Sequence, residues 1–113
     1  VLINKGYSLH LMGKYGRAIL CYKQVLKQDP DEINAIYYMS KSTARQNDAK
    51  QTCELISKLL KLQFINDLDH DHDHDHDHDH NHKQVHLIEK IQKDSDFKRM
   101  RTNANFLFLL KHN

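Results

Sequence analysis

The sequence predicts an all-α protein: antiparallel helical hairpins stacked as a short solenoid, interrupted by an insert of histidine and aspartate. Three observations predict it. Apolar residues recur at helical spacing through roughly the first 64 positions. Sliding the chain by 34 residues superposes its small and apolar positions. After that the pattern gives way to strict His/Asp alternation, and helical spacing resumes from Lys83.

The elements follow in order. The first helix runs to about Met12, where Gly13 supplies the turn a helix end prefers. The second runs from about Tyr15 to Gln28, with Ala18, Ile19, Tyr22, Val25 and Leu26 along one face. Asp29-Pro30-Asp31-Glu32 reads as a helix start, with Asp29 as cap and Pro30 in the first helical position. The third helix spans about Asp31 to Gln46, and Asn47-Asp48 ends it. The fourth carries Ala49, Thr52, Cys53, Ile56, Leu59 and Leu60 as its stripe. The shift of 34 places Leu2 on Ile36, Gly6 on Ser40, Ala18 on Thr52, Tyr22 on Ile56 and Leu26 on Leu60. Leu2, Ala18, Tyr22, Leu26, Ile36, Ile56 and Leu60 are therefore the expected core.

These residues carry a family resemblance. Gly6, Gly13-Lys14-Tyr15, Ala18-Ile19, Tyr22, Leu26 and Pro30 fall where a tetratricopeptide repeat has its signature, so the first hairpin resembles one. Departures are Leu2 for the usual aromatic, Lys5 for leucine, Leu9 for tyrosine and Val25 for alanine. The second repeat is degenerate, with Ser40 and Thr52 at the small positions. A generic four-helix bundle is the competing architecture. The tail resembles the shortened last unit of such arrays: an acidic–aromatic stretch Asp94-Ser95-Asp96-Phe97, then Met100-Arg101, then Phe106 with Leu109-Leu110. Terminal units cover the apolar face of their neighbour. The division is two hairpins over 1–64, a low-complexity His/Asp linker over 65–83, and a helical capping segment over 84–113. Since the chain opens at Val1 directly in a helical pattern, further repeats upstream are expected.

Charge and chemistry narrow the function. The net charge is +2, but the six aspartates between Asp69 and Asp79 mask a basic body of +8. Its basic residues are scattered along helices, and no nucleic-acid motif accompanies them. No apolar run reaches the roughly 20 residues that span a bilayer. Cys21 and Cys53 lack CxxC spacing and read as reduced, packed thiols of a cytoplasmic protein, a disulfide being the lesser alternative. There is no phosphate-cradling glycine loop, nucleophile elbow or HExxH. The expectation is a non-catalytic scaffold that needs no cofactor and meets neither nucleic acid nor membrane.

The resemblance implies that the first helix of each hairpin lines a concave groove for a peptide or partner helix. The matching positions are Ile3, Tyr7 and His10, then Asn34, Tyr37, Tyr38, Lys41 and Arg45. Aromatic surface beside basic groups suits a partner with acidic and apolar groups, although some of these tyrosines could simply pack between helices. Changing Tyr37, or Lys41 with Arg45, is expected to weaken binding without unfolding the body. The family's carboxylate clamp is not expected, because Ile3, Tyr7 and Tyr38 stand where it has lysine, asparagine and asparagine.

The alternative reading is a metal-buffering or metal-delivery protein. His70, His72, His74, His76, His78, His80 and His82 alternate with aspartates, and imidazole suits Zn2+ and Ni2+. A passive expanded repeat is the plainer account of the same composition. The acidic tract is also expected to dock transiently on Lys41 and Arg45, lifted by protonation or metal.

Overall fold

The computed structural model describes residues 2–71 and 82–111, with side-chain detail for 2–65 and 87–111. The helices are α1 (Leu2–Leu11), α2 (Tyr15–Gln28), α3 (Ile33–Arg45), α4 (Ala49–Asp71), α5 (His82–Lys93) and α6 (Ala104–Lys111). A 3-10 helix, Ser95–Thr102, lies between α5 and α6. No strand occurs among the described residues. The all-α fold built of helical hairpins is as the sequence predicts.

Two left-handed turns set the hairpins. Gly13 closes α1 at φ 81°, a conformation that costs glycine nothing. The Lys14 N–H then reaches back to the Leu9 carbonyl at 2.8 Å, and the Gly13 N–H bonds to His10 O at 2.9 Å. Asn47 repeats the device at φ 63°, with the Asp48 N–H on Thr43 O at 3.0 Å and its own N–H on Ala44 O at 2.9 Å. Gly13 and Asn47 are one repeat apart, so the backbone obeys the same 34-residue register as the side chains.

One cap differs from expectation. Asp29 closes α2, its N–H bonded to Val25 O, and Asp29 Oδ1 accepts the Asp31 N–H in the turn. The cap of α3 is Glu32, whose Oε1 accepts the Asn34 N–H at 3.0 Å. Pro30 therefore sits in the connecting turn rather than in the first helical position. The carboxylate three residues after Asp29 could serve as either half of a cap, and α3 begins later than the pattern suggests.

The core runs continuously from α2 to α6. Ala18, Tyr22, Ile36, Ile56, Leu59, Leu60, Ile91, Phe97, Met100, Phe106 and Leu110 are all buried in it. In hairpin one the Tyr22 ring packs directly against Gly6: a Cβ there would stand 2.5 Å from Tyr22 Cε1. In hairpin two, hydroxyls fill the corresponding space. Thr43 Oγ1 bonds Thr52 Oγ1 at 2.8 Å, and the Ser40 hydroxyl donates to Tyr37 O. Within hairpin two each of these buried hydroxyls has such a partner, whereas the buried Tyr22 hydroxyl of hairpin one has none among the described residues. Leu2 and Leu26, expected in the core, are only half-buried. Leu2 lines a shallow surface groove with Ile3, Val25, Gln28 and Asp29.

The fourth helix continues past Phe64, where the apolar stripe ends, to Asp71, and α5 begins at His82, inside the span the sequence assigns to a linker. Backbone hydrogen bonding thus extends beyond the packed stripe at both ends. The stretch 72–81 lies outside the described residues. Cys21 is buried, Cys53 half-buried, and both are free thiols; burial pushes the Cys53 thiol up. Among the described residues, no helix is long and apolar enough to cross a membrane.

Candidate functional site: the inner face of the third helix

Helical periodicity places Tyr37, Lys41 and Arg45 one turn apart on the same side of α3. α1 packs beside it and brings Tyr7 and His10 to the same face, where Tyr7 meets Tyr38 with ring centroids 5.4 Å apart. Four of the eight expected groove residues, His10, Tyr37, Lys41 and Arg45, converge on a single acidic–aromatic segment. That segment belongs to the chain itself.

Asp94 caps the 3-10 helix, its Oδ1 accepting the Asp96 N–H at 3.0 Å. This leaves Asp94 Oδ2 free to accept the Tyr37 hydroxyl at 2.9 Å and to pair with Lys41 Nζ at 3.2 Å. Asp96 faces three partners. Its Oδ1 accepts Arg45 Nε–H at 2.8 Å, while its Oδ2 takes Lys41 Nζ at 3.3 Å and His10 Nε2–H at 3.0 Å. On its other side, His10 Nδ1 shares a hydrogen bond of 2.8 Å with the Ser42 hydroxyl. Phe97 follows directly, buried with its ring 6.2 Å from that of Tyr37 and 5.9 Å from that of Phe106.

These groups lie largely out of water, which strengthens each contact and makes an unpaired charge costly. The side chains of His10, Lys41 and Asp96 are 5%, 13% and 13% exposed; Arg45, at 44%, forms the rim. Burial opposes ionisation of Asp94, but the Asp96 N–H, the Tyr37 hydroxyl and Lys41 outweigh it and hold its carboxyl below the usual range. Burial likewise disfavours the Lys41 cation, and Asp94 and Asp96 more than restore it, raising its pKa. The Tyr37 hydroxyl is pushed well up by burial and by its bond to Asp94. Lys41 Nζ also stands 5.8 Å from the Tyr7 ring centroid, and Lys90 Nζ 4.8 Å from that of Tyr37, within cation–π range.

The remaining groove residues are distributed differently. Tyr7 is 38% exposed and Tyr38 half-buried beside it. Ile3 lines the shallow groove with Leu2, and Asn34 is exposed in the first turn of α3. The expectation that Tyr37 and Lys41 are surface residues, changeable without cost to the fold, is corrected: Tyr37 is 6% exposed and both hold the tail in place. The expected docking of the His/Asp tract on Lys41 and Arg45 falls on side chains outside the described residues; the carboxylates described at Lys41 and Arg45 are Asp94 and Asp96.

Of the metal-ligand candidates, His72, His74, His76, His78 and His80 lie outside the described residues. His70 and His82 fall at the ends of α4 and α5, without side-chain detail. Among the described residues, no group of three His, Cys, Asp or Glu side chains is placed to hold a metal ion. Sequence reasoning missed Ser42, Lys90 and Arg101 as participants. Arg101 donates to Gln92 O at 2.7 Å and Asp94 O at 3.3 Å, pinning the corner between α5 and the 3-10 helix.

Stacked two-helix hairpins with a polar, aromatic inner face define a class, the helical-repeat scaffolds for protein–protein interaction. Residues 1–32, under a third of the chain, match the family model described as tetratricopeptide repeat, so the first hairpin is similar to a repeat of that family, whose members are generally non-catalytic. No curated protein and no solved structure matches the chain.

Proposed function

We propose that this scaffold binds an extended segment of a partner protein along the inner face lined by α1 and α3. The observation that supports the reading is the way His10, Tyr37, Lys41 and Arg45 already grip two carboxylates and an aromatic ring. A face built to that pattern reads acidic and apolar groups together. Charge-assisted hydrogen bonds fix the register, and aromatic contact area supplies the anchor. The open end of the face, Tyr7 with Tyr38 and Ile3, offers the anchor surface; Asn34 contributes a polar rim.

The test is selection of binders from a random peptide library on the full chain, followed by affinity measurement against variants. Selected peptides should combine an apolar or aromatic residue with carboxylates. They should lose roughly tenfold or more in affinity on Tyr7→Ala, the effect of truncating a modest hot spot. Binders indifferent to both Tyr7→Ala and Arg45→Glu would put the interaction surface elsewhere.

A further inference from the structure

We infer that the inner face of α3 is a receptor for peptides of the form Asp-x-Asp-aromatic, and that Asp94–Phe97 is its resident occupant, competing in cis with such a segment on a partner. The inference rests on the inner-face reading above and names both the ligand chemistry and the control of access.

The spacing is specific. Lys41 Nζ bridges the two carboxylates, 3.2 Å from Asp94 and 3.3 Å from Asp96. That requires two acidic side chains on the same side of a tight turn, which the Asp94 cap provides by taking the Asp96 N–H. Each carboxylate oxygen has an assigned partner: the Asp96 N–H on Asp94 Oδ1, Tyr37 and Lys41 on Asp94 Oδ2, Arg45 on Asp96 Oδ1, and His10 and Lys41 on Asp96 Oδ2. The aromatic residue must follow at once to reach the Tyr37 ring, as Phe97 does. A segment lacking the first carboxylate would leave the buried Tyr37 hydroxyl without its partner, and one lacking the second would leave the buried His10 Nε2 without its own, a cost that disfavours such sequences.

Occupancy is set by competition. A tethered segment is present at an effective concentration in the millimolar range, so a free peptide with equal intrinsic affinity displaces it only above that level. Any change that weakens the Asp94 and Asp96 contacts opens the face to a partner.

The experiment uses the full chain and a fluorescent synthetic peptide copying residues 92–111, read by anisotropy. The unaltered chain should not saturate below about 1 mM. The Asp94→Asn, Asp96→Asn double variant keeps the receptor and weakens the occupant; its affinity for the peptide should rise roughly tenfold or more. Adding Lys41→Glu and Arg45→Glu to that variant should abolish the gain, as should placing asparagine at both acidic positions of the peptide. Phe97→Leu, which retains an apolar anchor, provides a second weakened occupant should the double variant lose its helical circular dichroism. Whichever variant stays helical must show the gain. A helical variant that binds the peptide no better than the unaltered chain, or one that binds the asparagine peptide equally well, overturns the inference. Should library-selected, Tyr7-dependent binders persist alongside that failure, the inner-face reading stands and only the cis competition falls.

Discussion

The two hairpins share one register and solve it with different chemistry. Gly6 and Ser40, Ala18 and Thr52, Tyr22 and Ile56 stand at matching positions, and all six are buried. Hairpin one fills its interior by packing an aromatic ring against a glycine. Hairpin two uses a smaller aliphatic and a ladder of hydroxyls. The surroundings differ as well. α3 has hairpin one on one side and the C-terminal unit on the other, so most of its residues are buried, whereas α1 buries only Gly6 and His10. Hairpin one keeps the sequence signature, and it is the one the family model matches.

The largest effect expected from this contrast is at Tyr22. Tyr22→Ala should cost about 3–5 kcal/mol, the range for emptying a buried aromatic site, read from urea unfolding by circular dichroism. A loss below roughly 1 kcal/mol would mean that the ring over Gly6 does not hold hairpin one together. Next comes a paired comparison at the small positions. Gly6→Ala forces a Cβ into the Tyr22 ring and should cost about 1–3 kcal/mol by overpacking. Ser40→Ala gives up one local hydrogen bond and should cost about 1 kcal/mol or less. Equal losses at the two positions would erase the distinction between the hairpins.

Much of this was legible in the sequence, for identifiable reasons. The helices, the 34-residue register and the turns at Gly13 and Asn47 follow from periodicity and left-handed backbone preferences, which are local. The inner-face residues were legible as a set because helical spacing fixes which side chains share a face. What covers that face was not. Asp94 and Asp96 read as part of an acidic–aromatic stretch, and Asp94 proves to be a cap; their role against α3 depends on how α5 returns the chain to it, which no local signal encodes. Pro30 misled for a related reason, since both Asp29 and Glu32 could cap and only the path of the turn decides between them.

Smaller effects sharpen the comparison. Asp48 caps α4 through the Gln51 N–H, whereas Lys14, at the same place before α2, makes no side-chain cap. Lys14→Asp should therefore stabilise the protein by about 0.5–1 kcal/mol, seen as a higher urea midpoint. No change would mean that the start of α2 is already satisfied. The inner face also predicts an acid limb. Asp94 has a depressed folded-state pKa, so its contribution is complete above the ordinary carboxylate pKa of about 4 and is lost as pH falls through the lower folded value. Stability should decline below about pH 4, and Asp94→Asn should flatten that limb; an unchanged limb would assign the acid sensitivity to other carboxylates.

The central claim, that the residues lining the inner face are engaged by the chain's own acidic segment, is tested most directly by a double-mutant cycle between Lys41 and Asp96, 3.3 Å apart and 55 positions distant in sequence. Unfolding free energies of the unaltered chain, Lys41→Ala, Asp96→Ala and the double variant give the coupling. The structure predicts that the two changes are strongly non-additive, with a coupling of about 0.5–3 kcal/mol that shrinks only modestly in high salt. Losses that add to within about 0.3 kcal/mol would contradict it and leave the inner face of α3 open.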